Sequence, residues 1–286
     1  MKRALLFFGA FAVGLAAALL AAGLMLLPSW LQTRALQSQR PSAITAAQAV
    51  PDVPSTGDVP APPVPTPLPA KDFTDLLARN PEVVGWIDID GTPVDFPVLQ
   101  GRDNEYYLHH DLDRQYDPEG IPYADYERDL QTGRHLILYG HNMGVGQTAR
   151  FSSLQNYRHP DYYTRHPVIA LDTLYGSALY KVAAVVPLTA RPEDSDYFAF
   201  NTGTAFADEA AAQRYLDEMA ARALYTTGDF IHPEERLLSL CICTYEMEDA
   251  RLVVMARPLR PGESADPDGV TENPSPKLPI RWPAGA

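Results

Sequence analysis

The hydrophobic and polar positions of this chain divide it into four segments, and the first is a continuous apolar run. Ala4–Leu27 contains 24 residues without a charge and follows Lys2 and Arg3. As a helix it would span ~36 Å, enough to cross a ~30 Å hydrocarbon core. The pattern predicts a transmembrane anchor over residues 1–28, with the N-terminus in the cytoplasm. A cleaved signal peptide is the alternative, but its apolar core is normally only ~7–15 residues long.

Two proline-rich segments flank the middle of the chain. Residues 29–70 include nine prolines between Pro41 and Ala70 and lack any hydrophobic period, which predicts a linker. In a polyproline II conformation the stretch from Pro28 to Ala70 would reach up to ~130 Å; a disordered tether is equally compatible. Residues 259–286 are predicted to be a disordered tail. The region between them, residues 71–258, has the size of one domain.

Alternating and short apolar runs in this middle region predict a mainly-β domain, either a barrel or a sandwich. A short helix is expected over Lys71–Arg79, ending before Pro81. A longer amphipathic helix is expected over Phe206–Leu224, where apolar residues recur at i, i+3, i+4 and i+7. The eight predicted strands are Val83–Ile89, Val94–Leu99, Ile121–Ala124, His135–Tyr139, Val168–Leu171, Ala178–Val186, Leu237–Cys243 and Leu252–Ala256.

The composition of the chain argues against several classes of function. The formal net charge is −13, so a nucleic-acid partner is not expected. The two cysteines, Cys241 and Cys243, are too few and too close for a disulfide scaffold, and a disulfide between them would be strained. His109 and His110, with the acidic residues that follow, match no standard zinc spacing. No metal site and no cofactor are predicted.

The two cysteines lie where a strand is expected to end. If the strand ending at Cys243 and the strand beginning after Arg251 pair as a hairpin, a thiol and a guanidinium meet at one rim. A nearby cation favours the thiolate and can stabilise an oxyanion. His141 follows another predicted strand and ends it at a turn, a common place for catalytic groups. The alternatives are an inert packed cysteine, a solvated arginine and a surface histidine.

An ordered series of segments resembles the sortase family, specifically its class B. The resemblance covers nearly all of residues 72–257. The matching segments, in the order in which the family has them, are Asn80–Ile87, Asp103–Leu108, Tyr139–Met143, His166–Ile169, Ser239–Cys243, Thr244–Glu246 and Arg251–Val254.

The resemblance implies an eight-stranded sortase-type β-barrel and selects one cysteine. The family's Thr-Leu-x-Thr-Cys signature falls on Ser239–Cys243, which implies Cys243 as nucleophile with His141 and Arg251 as partners. Ser239 and Ile242 stand where the family usually has threonine. Residues that the resemblance places as weaker candidates for substrate contacts are Tyr139, Cys241, Ile242 and Thr244.

The resemblance also implies an activity. Sortases cut a C-terminal sorting signal of secreted proteins through a thioester and transfer the acyl group to an amine. The acceptor would be a peptidoglycan precursor or a pilin lysine, with the enzyme held in the cell membrane by a single helix and its catalytic domain outside. A thiol hydrolase that releases surface proteins, an inactive binding or assembly module and a redox protein remain alternatives.

Overall fold

The computed structural model describes residues 29–43, 71–144, 146–202, 206–228 and 230–283. The chain divides between Gln39 and Arg40 into two compact units. In the first unit the described element is helix α1, Ser29–Gln37. The predicted anchor lies outside the described residues, and no helix within them is long and apolar enough to cross a membrane.

The second unit is built mainly from strands. Three α-helices accompany them: α2 (Thr74–Arg79), α3 (Pro160–Arg165) and α4 (Glu209–Arg222). Two 3-10 helices occur at Tyr106–Leu108 and Arg150–Arg158. The strands are β1 (Val83–Asp88), β2 (Asp95–Leu99), β3 (Tyr123–Ala124), β4 (His135–Gly140), β5 (Val168–Thr173), β6 (Gly176–Thr189), β7 (Tyr225–Thr227), β8 (Leu237–Thr244), β9 (Ala250–Pro258) and β10 (Val270–Glu272).

Eight of these strands close into a barrel, in the order β6-β5-β1-β2-β3-β4-β8-β9, with β9 pairing back to β6. The β2–β3 and β4–β8 pairs are parallel and the other barrel pairs are antiparallel. These eight strands are the eight that the hydrophobic pattern predicts, so the mainly-β prediction and the barrel are confirmed. Strands β7 and β10, which the pattern missed, extend the sheet outward from β6.

The alternation of side chains along β8 separates two apolar layers. Leu238, Leu240 and Ile242 lie in the barrel interior. The outward positions Leu237 and Cys241 pack in a second layer that includes Tyr215, Leu216 and Met219 of α4. Helix α4 begins at the N-cap Asp208, whose side chain accepts a hydrogen bond from the Ala211 N–H. By the same alternation, Cys243 belongs to the outer face of the barrel.

The described ends of the predicted linker over 29–70 make contacts that an extended spacer would lack. Its first part is helix α1, and Arg40 Nη2 pairs with Asp88 Oδ2 at 2.6 Å. Ala43 then forms an antiparallel bridge with Lys71. An ion pair and a backbone bridge therefore hold residues 40–43 at the domain. Residues 44–70 lie outside the described residues, and for them the linker stays a prediction.

The prediction of a disordered tail is wrong for its described part, residues 259–283. Lys181 and Arg257 are buried register partners on β6 and β9. Glu263 pairs with Arg257, and Asp268 pairs with Lys181 at 2.9 Å. Beyond them, Val270 pairs with Thr227 as β10 joins β7. The composition of the tail could not reveal this docking, because the need for carboxylates arises from two cations that the barrel places side by side.

Candidate active site

Cys243 and Arg251 are direct partners across the β8–β9 hairpin. Strand β8 ends one residue after Cys243, and β9 begins one residue before Arg251. Opposite residues in an antiparallel pair have Cβ atoms ~4.5–5.5 Å apart on the same face. Both side chains are half-buried. The hairpin predicted from the sequence is present, and it brings the thiol and the guanidinium together.

The parallel pairing of β4 with β8 brings His141 to the same rim. Gly140 of β4 is the register partner of Ile242, so His141 follows at the level of Cys243. Asn142 Nδ2 donates a hydrogen bond of 2.9 Å to the Cys243 carbonyl and ties the two strand ends together. Glycine is required at position 140, because a Cβ there would lie 2.4 Å from the Phe151 ring.

The His141 ring is half-buried and is contacted by another histidine. Burial lowers the pKa of His141, and the neighbouring His109 lowers it further. The two rings meet edge to face with centroids 5.4 Å apart. Nδ1 of His141 is buried and has no hydrogen-bond partner among the described residues. The surroundings therefore favour the neutral imidazole, whose orientation depends on ring packing.

The two cysteines differ in reactivity. Both are free thiols. Cys241 is 2% exposed, and burial raises its pKa to about 12, although the Arg251 charge opposes the shift. Cys243 is accessible at the end of the strand. Since the thiolate is the nucleophilic form, burial disfavours Cys241 as a nucleophile, and Cys243 is the more accessible of the two thiols.

A hydrogen-bond network fixes Tyr139 two residues before His141. Its hydroxyl donates to Asp125 Oδ2 at 2.9 Å and accepts a hydrogen bond from Asn201 Nδ2 at 3.2 Å. Arg128 donates to the Asn201 carbonyl. Burial, then the nearby Cys241 and Asp125, raise the pKa of Tyr139 well above its ordinary value. No motif pointed to Asp125, which directly follows β3, or to Asn201, which lies far along the chain from Tyr139.

The 3-10 helix Arg150–Arg158 contacts the loop between β8 and β9 through its last residue. Arg158 Nη2 donates to Thr244 Oγ1 at 2.7 Å and also pairs with Glu246. Tyr245 donates its hydroxyl hydrogen to the Asn142 carbonyl at 2.6 Å. The backbone around Cys243 is therefore fixed by contacts on both sides of the loop.

Two residues of the signature segment, Ile242 and Ser239, are buried. Ile242 is 1% exposed in the barrel interior, so any contact with a substrate would have to come from its backbone. Ser239 is fully buried, and its Oγ lies 2.9 Å from His135 Nε2. Burial lowers the pKa of His135 to about 3. The neutral His135 thus links β4 to β8, which is a structural role.

The described residues also form a cavity away from this rim. A cavity of about 810 Å³ lies at the opposite mouth of the barrel, where Arg134 and Arg236 precede β4 and β8 and Pro258 ends β9. Among the described residues, no group of three or more histidine, cysteine, aspartate or glutamate side chains is placed to hold a metal ion.

Comparison with known proteins places this barrel and rim in one family. No family model matches the chain. Sortase B of Staphylococcus aureus is 30% identical over 188 residues, which are 65% of this chain and 73% of that protein. Sortase B of Listeria monocytogenes is 28% identical over 189 residues, with the same two coverages of 65% and 73%.

Solved structures agree with the sequence relatives. Clostridium perfringens sortase B superposes with a TM-score of 0.58 at 26% identity, over 65% of this chain and 99% of that one. A Staphylococcus aureus sortase B–substrate complex gives a TM-score of 0.56 at 28% identity, over 66% and 84% of the two chains. Together with the closed eight-stranded barrel, these similarities show that the chain belongs to the class B sortases, a family of cysteine transpeptidases.

Proposed function

We propose that this protein cleaves a C-terminal sorting signal of secreted proteins and transfers the new acyl group to an amine, with Cys243, His141 and Arg251 as its catalytic residues. The observation that carries the proposal is their convergence. Cys243 and Arg251 are register partners, and His141 follows the strand parallel to β8. Such convergence of a thiol, a base and a cation at one rim suits acyl transfer.

In the first half-reaction the Cys243 sulfur attacks the carbonyl carbon of the scissile peptide bond. His141 accepts the Cys243 thiol proton as the sulfur attacks; the C–N bond then breaks, a thioester forms, and the leaving amine takes that proton from His141. Arg251 stabilises the negative charge that develops on the carbonyl oxygen. No ion pair with a carboxylate engages Arg251 in the described part of the chain; its Nη1 donates to the Ala250 carbonyl at 3.0 Å. Its charge is therefore available to the oxyanion.

In the second half-reaction an incoming amine attacks the thioester. The amine loses a proton to His141, the C–S bond breaks, and Cys243 leaves as a thiolate that takes the proton back from His141. Hydrogen bonds with Asp125 and Arg158 hold Tyr139 and Thr244 in place. The half-buried Tyr139 is proposed to border the peptide groove, whereas the buried Cys241 and Thr244 would contribute through their backbones. Ile242 would contribute through its backbone.

The acceptor is proposed to be an amine of a peptidoglycan precursor or a pilin lysine. One of the similar solved structures is a sortase B in complex with triglycine, which supports a peptide amine as one acceptor class. The apolar run at Ala4–Leu27 supports a single-pass protein of the cell membrane with its catalytic domain outside.

The test is intact mass spectrometry of the full-length protein after incubation with a panel of sorting-signal peptides. We expect an adduct on Cys243 that matches the N-terminal peptide fragment and is discharged by an added amine. Cys243→Ala removes the thiol, whereas Cys241→Ala is the matched control and keeps the adduct.

The alternatives give different results. Discharge by water at a rate that added amines do not change would indicate a thiol hydrolase. A Cys243 that is neither acylated by any peptide nor alkylated by iodoacetamide would contradict catalysis and favour a binding or assembly module.

A further inference from the structure

A histidine that the sequence motifs did not assign, His109, contacts the proposed acid–base residue. It follows the 3-10 helix Tyr106–Leu108 and is exposed. Its ring meets His141 edge to face at 5.4 Å between centroids. Its backbone is fixed on both sides, since its N–H donates to the Tyr106 carbonyl at 3.2 Å and its carbonyl accepts from the Asp117 N–H at 2.9 Å.

The His141 ring is contacted by His109, and no hydrogen bond holds its Nδ1 among the described residues. Catalytic imidazoles are commonly oriented through the nitrogen that does not act on the substrate. Here Nδ1 of His141 is buried without a hydrogen-bond partner among the described residues. The aromatic contact with His109 is therefore a physical constraint on the angle of the His141 ring.

The same contact couples the charges of the two rings. Like charges in proximity disfavour each other, so a protonated His109 opposes protonation of His141. Cys243 and Arg251 lie at the level of His141 on the paired strands, and the Tyr245 hydroxyl donates to the carbonyl of the neighbouring Asn142. Beside His109 lie His110 and Tyr116, and the Asp117 carboxylate is engaged by Arg150 Nη2 at 2.8 Å. Because Arg150 already pairs with it, the Asp117 carboxylate is less available to pair with a protonated His109.

We infer that His109 is a positioning residue for this transpeptidase: its ring orients the His141 imidazole and its charge biases His141 toward the neutral form. The inference rests on the proposed role of His141, but its test observes the His141 ring directly and needs no substrate. A negative result in the titration of His141 would not change the outcome of the acylation experiment, and a negative acylation result would not change the titration.

The experiment is an NMR titration of the histidine Cε1–H resonances in the full-length, ¹³C-histidine-labelled protein in detergent micelles. The His141 signal is assigned by its loss in His141→Gln. His109→Phe keeps a ring and removes the charge. His110→Phe is the matched control, because it makes the same substitution at the neighbouring position, where the ring stacks on Tyr106 with centroids 3.9 Å apart.

Removal of the His109 charge removes one of the two causes that lower the pKa of His141. We expect the pKa of His141 to rise in His109→Phe and to stay unchanged in His110→Phe. Equal pKa values in the wild type and His109→Phe, or equal shifts in both variants, would overturn the electrostatic part. The buried His135 signal reports folding, and His109→Gln replaces His109→Phe if that signal is disturbed.

His109→Ala tests the orienting part, because it removes the ring as well as the charge. We expect the His141 resonance to broaden or split in this variant, and to remain a single sharp signal in His109→Phe. A single sharp signal in His109→Ala would show that the ring at position 109 does not orient His141.

Discussion

Glu263→Gln should destabilise the protein by undocking the C-terminal segment from the barrel. The Glu263 carboxylate accepts from Arg257 Nη1 at 2.7 Å and Nη2 at 2.5 Å and lies 3.6 Å from Lys181 Nζ. The Arg257 and Lys181 side chains are each 2% exposed. The hydrogen bonds from Arg257 are the main cause that lowers the pKa of Glu263 to about 2.

The expected magnitude follows from that pKa. Relative to an unfolded value of ~4.5, the ionised carboxylate contributes up to about 3 kcal/mol of stability at pH 7, at ~1.4 kcal/mol per pKa unit. The side chain is 20% exposed, so solvent screening reduces the expected effect to about 2 kcal/mol. Replacing the carboxylate by a neutral amide removes this contribution.

The pH dependence has a defined sign. The pKa of Glu263 is lower in the folded protein, so its stabilisation is fully present above ~4.5 and is lost as the pH falls toward about 2. Roughly half should be gone near pH 3. The wild type and Glu263→Gln should therefore differ most at neutral pH and converge in acid.

The assay is urea unfolding of the full-length protein, followed by tryptophan fluorescence between pH 7 and pH 3. Glu272→Gln is the matched control, since it removes the same charge from an exposed position of the same segment. The reasoning would be refuted if Glu263→Gln and Glu272→Gln were equally stable at pH 7, or if the difference between them did not shrink in acid.

Three further predictions concern the active site. Iodoacetamide at pH 8 should alkylate Cys243 and leave Cys241 unmodified until guanidinium unfolds the protein, because burial raises the pKa of Cys241 to about 12; two rapid modifications of the native protein would contradict this. Arg251→Lys should slow acylation of Cys243 by about 100-fold in intact-mass time courses, because a point charge replaces a fixed fork of donors; a rate within threefold of the wild type would exclude an oxyanion role. Asp125→Asn should lower the free energy of unfolding by about 1–2 kcal/mol, because the Tyr139 hydroxyl loses a charged acceptor; an unchanged urea midpoint would show that the bond contributes nothing.

The fold was predictable where local pattern determines it. All eight barrel strands were visible as apolar runs bounded by turn residues, and α4 was visible as an amphipathic stripe. Strands β7 and β10 were not, because each has three residues and is stabilised by pairing with a neighbour rather than by its own pattern. The 3-10 segment Arg150–Arg158 was missed for a similar reason: it packs against the end of β8 without a helical period.

The candidate active site likewise contains residues that local pattern predicted and residues that it did not. Cys243, Arg251 and His141 were predicted because each lies at the end of a recognisable strand and belongs to a motif that resembles the family. His109, Asp125 and Asn201 carry no such signal. Asp125 directly follows β3 and is placed by the pairing of β3 with β4, whereas His109 and Asn201 reach His141 and Tyr139 through tertiary contacts.

The sequence by itself determined the strands, the long helix and the position of Cys243, His141 and Arg251 at strand ends, because strand periodicity and short motifs are local properties of the chain. The local pattern left a barrel and a sandwich open, and the tertiary structure decided the closure of β9 on β6, the docking of residues 259–283 and the bridge between Ala43 and Lys71. These features depend on hydrogen bonds and ion pairs between residues far apart in the chain. These contacts form and contribute to stability only when the barrel has folded, so a local pattern in the sequence cannot predict them.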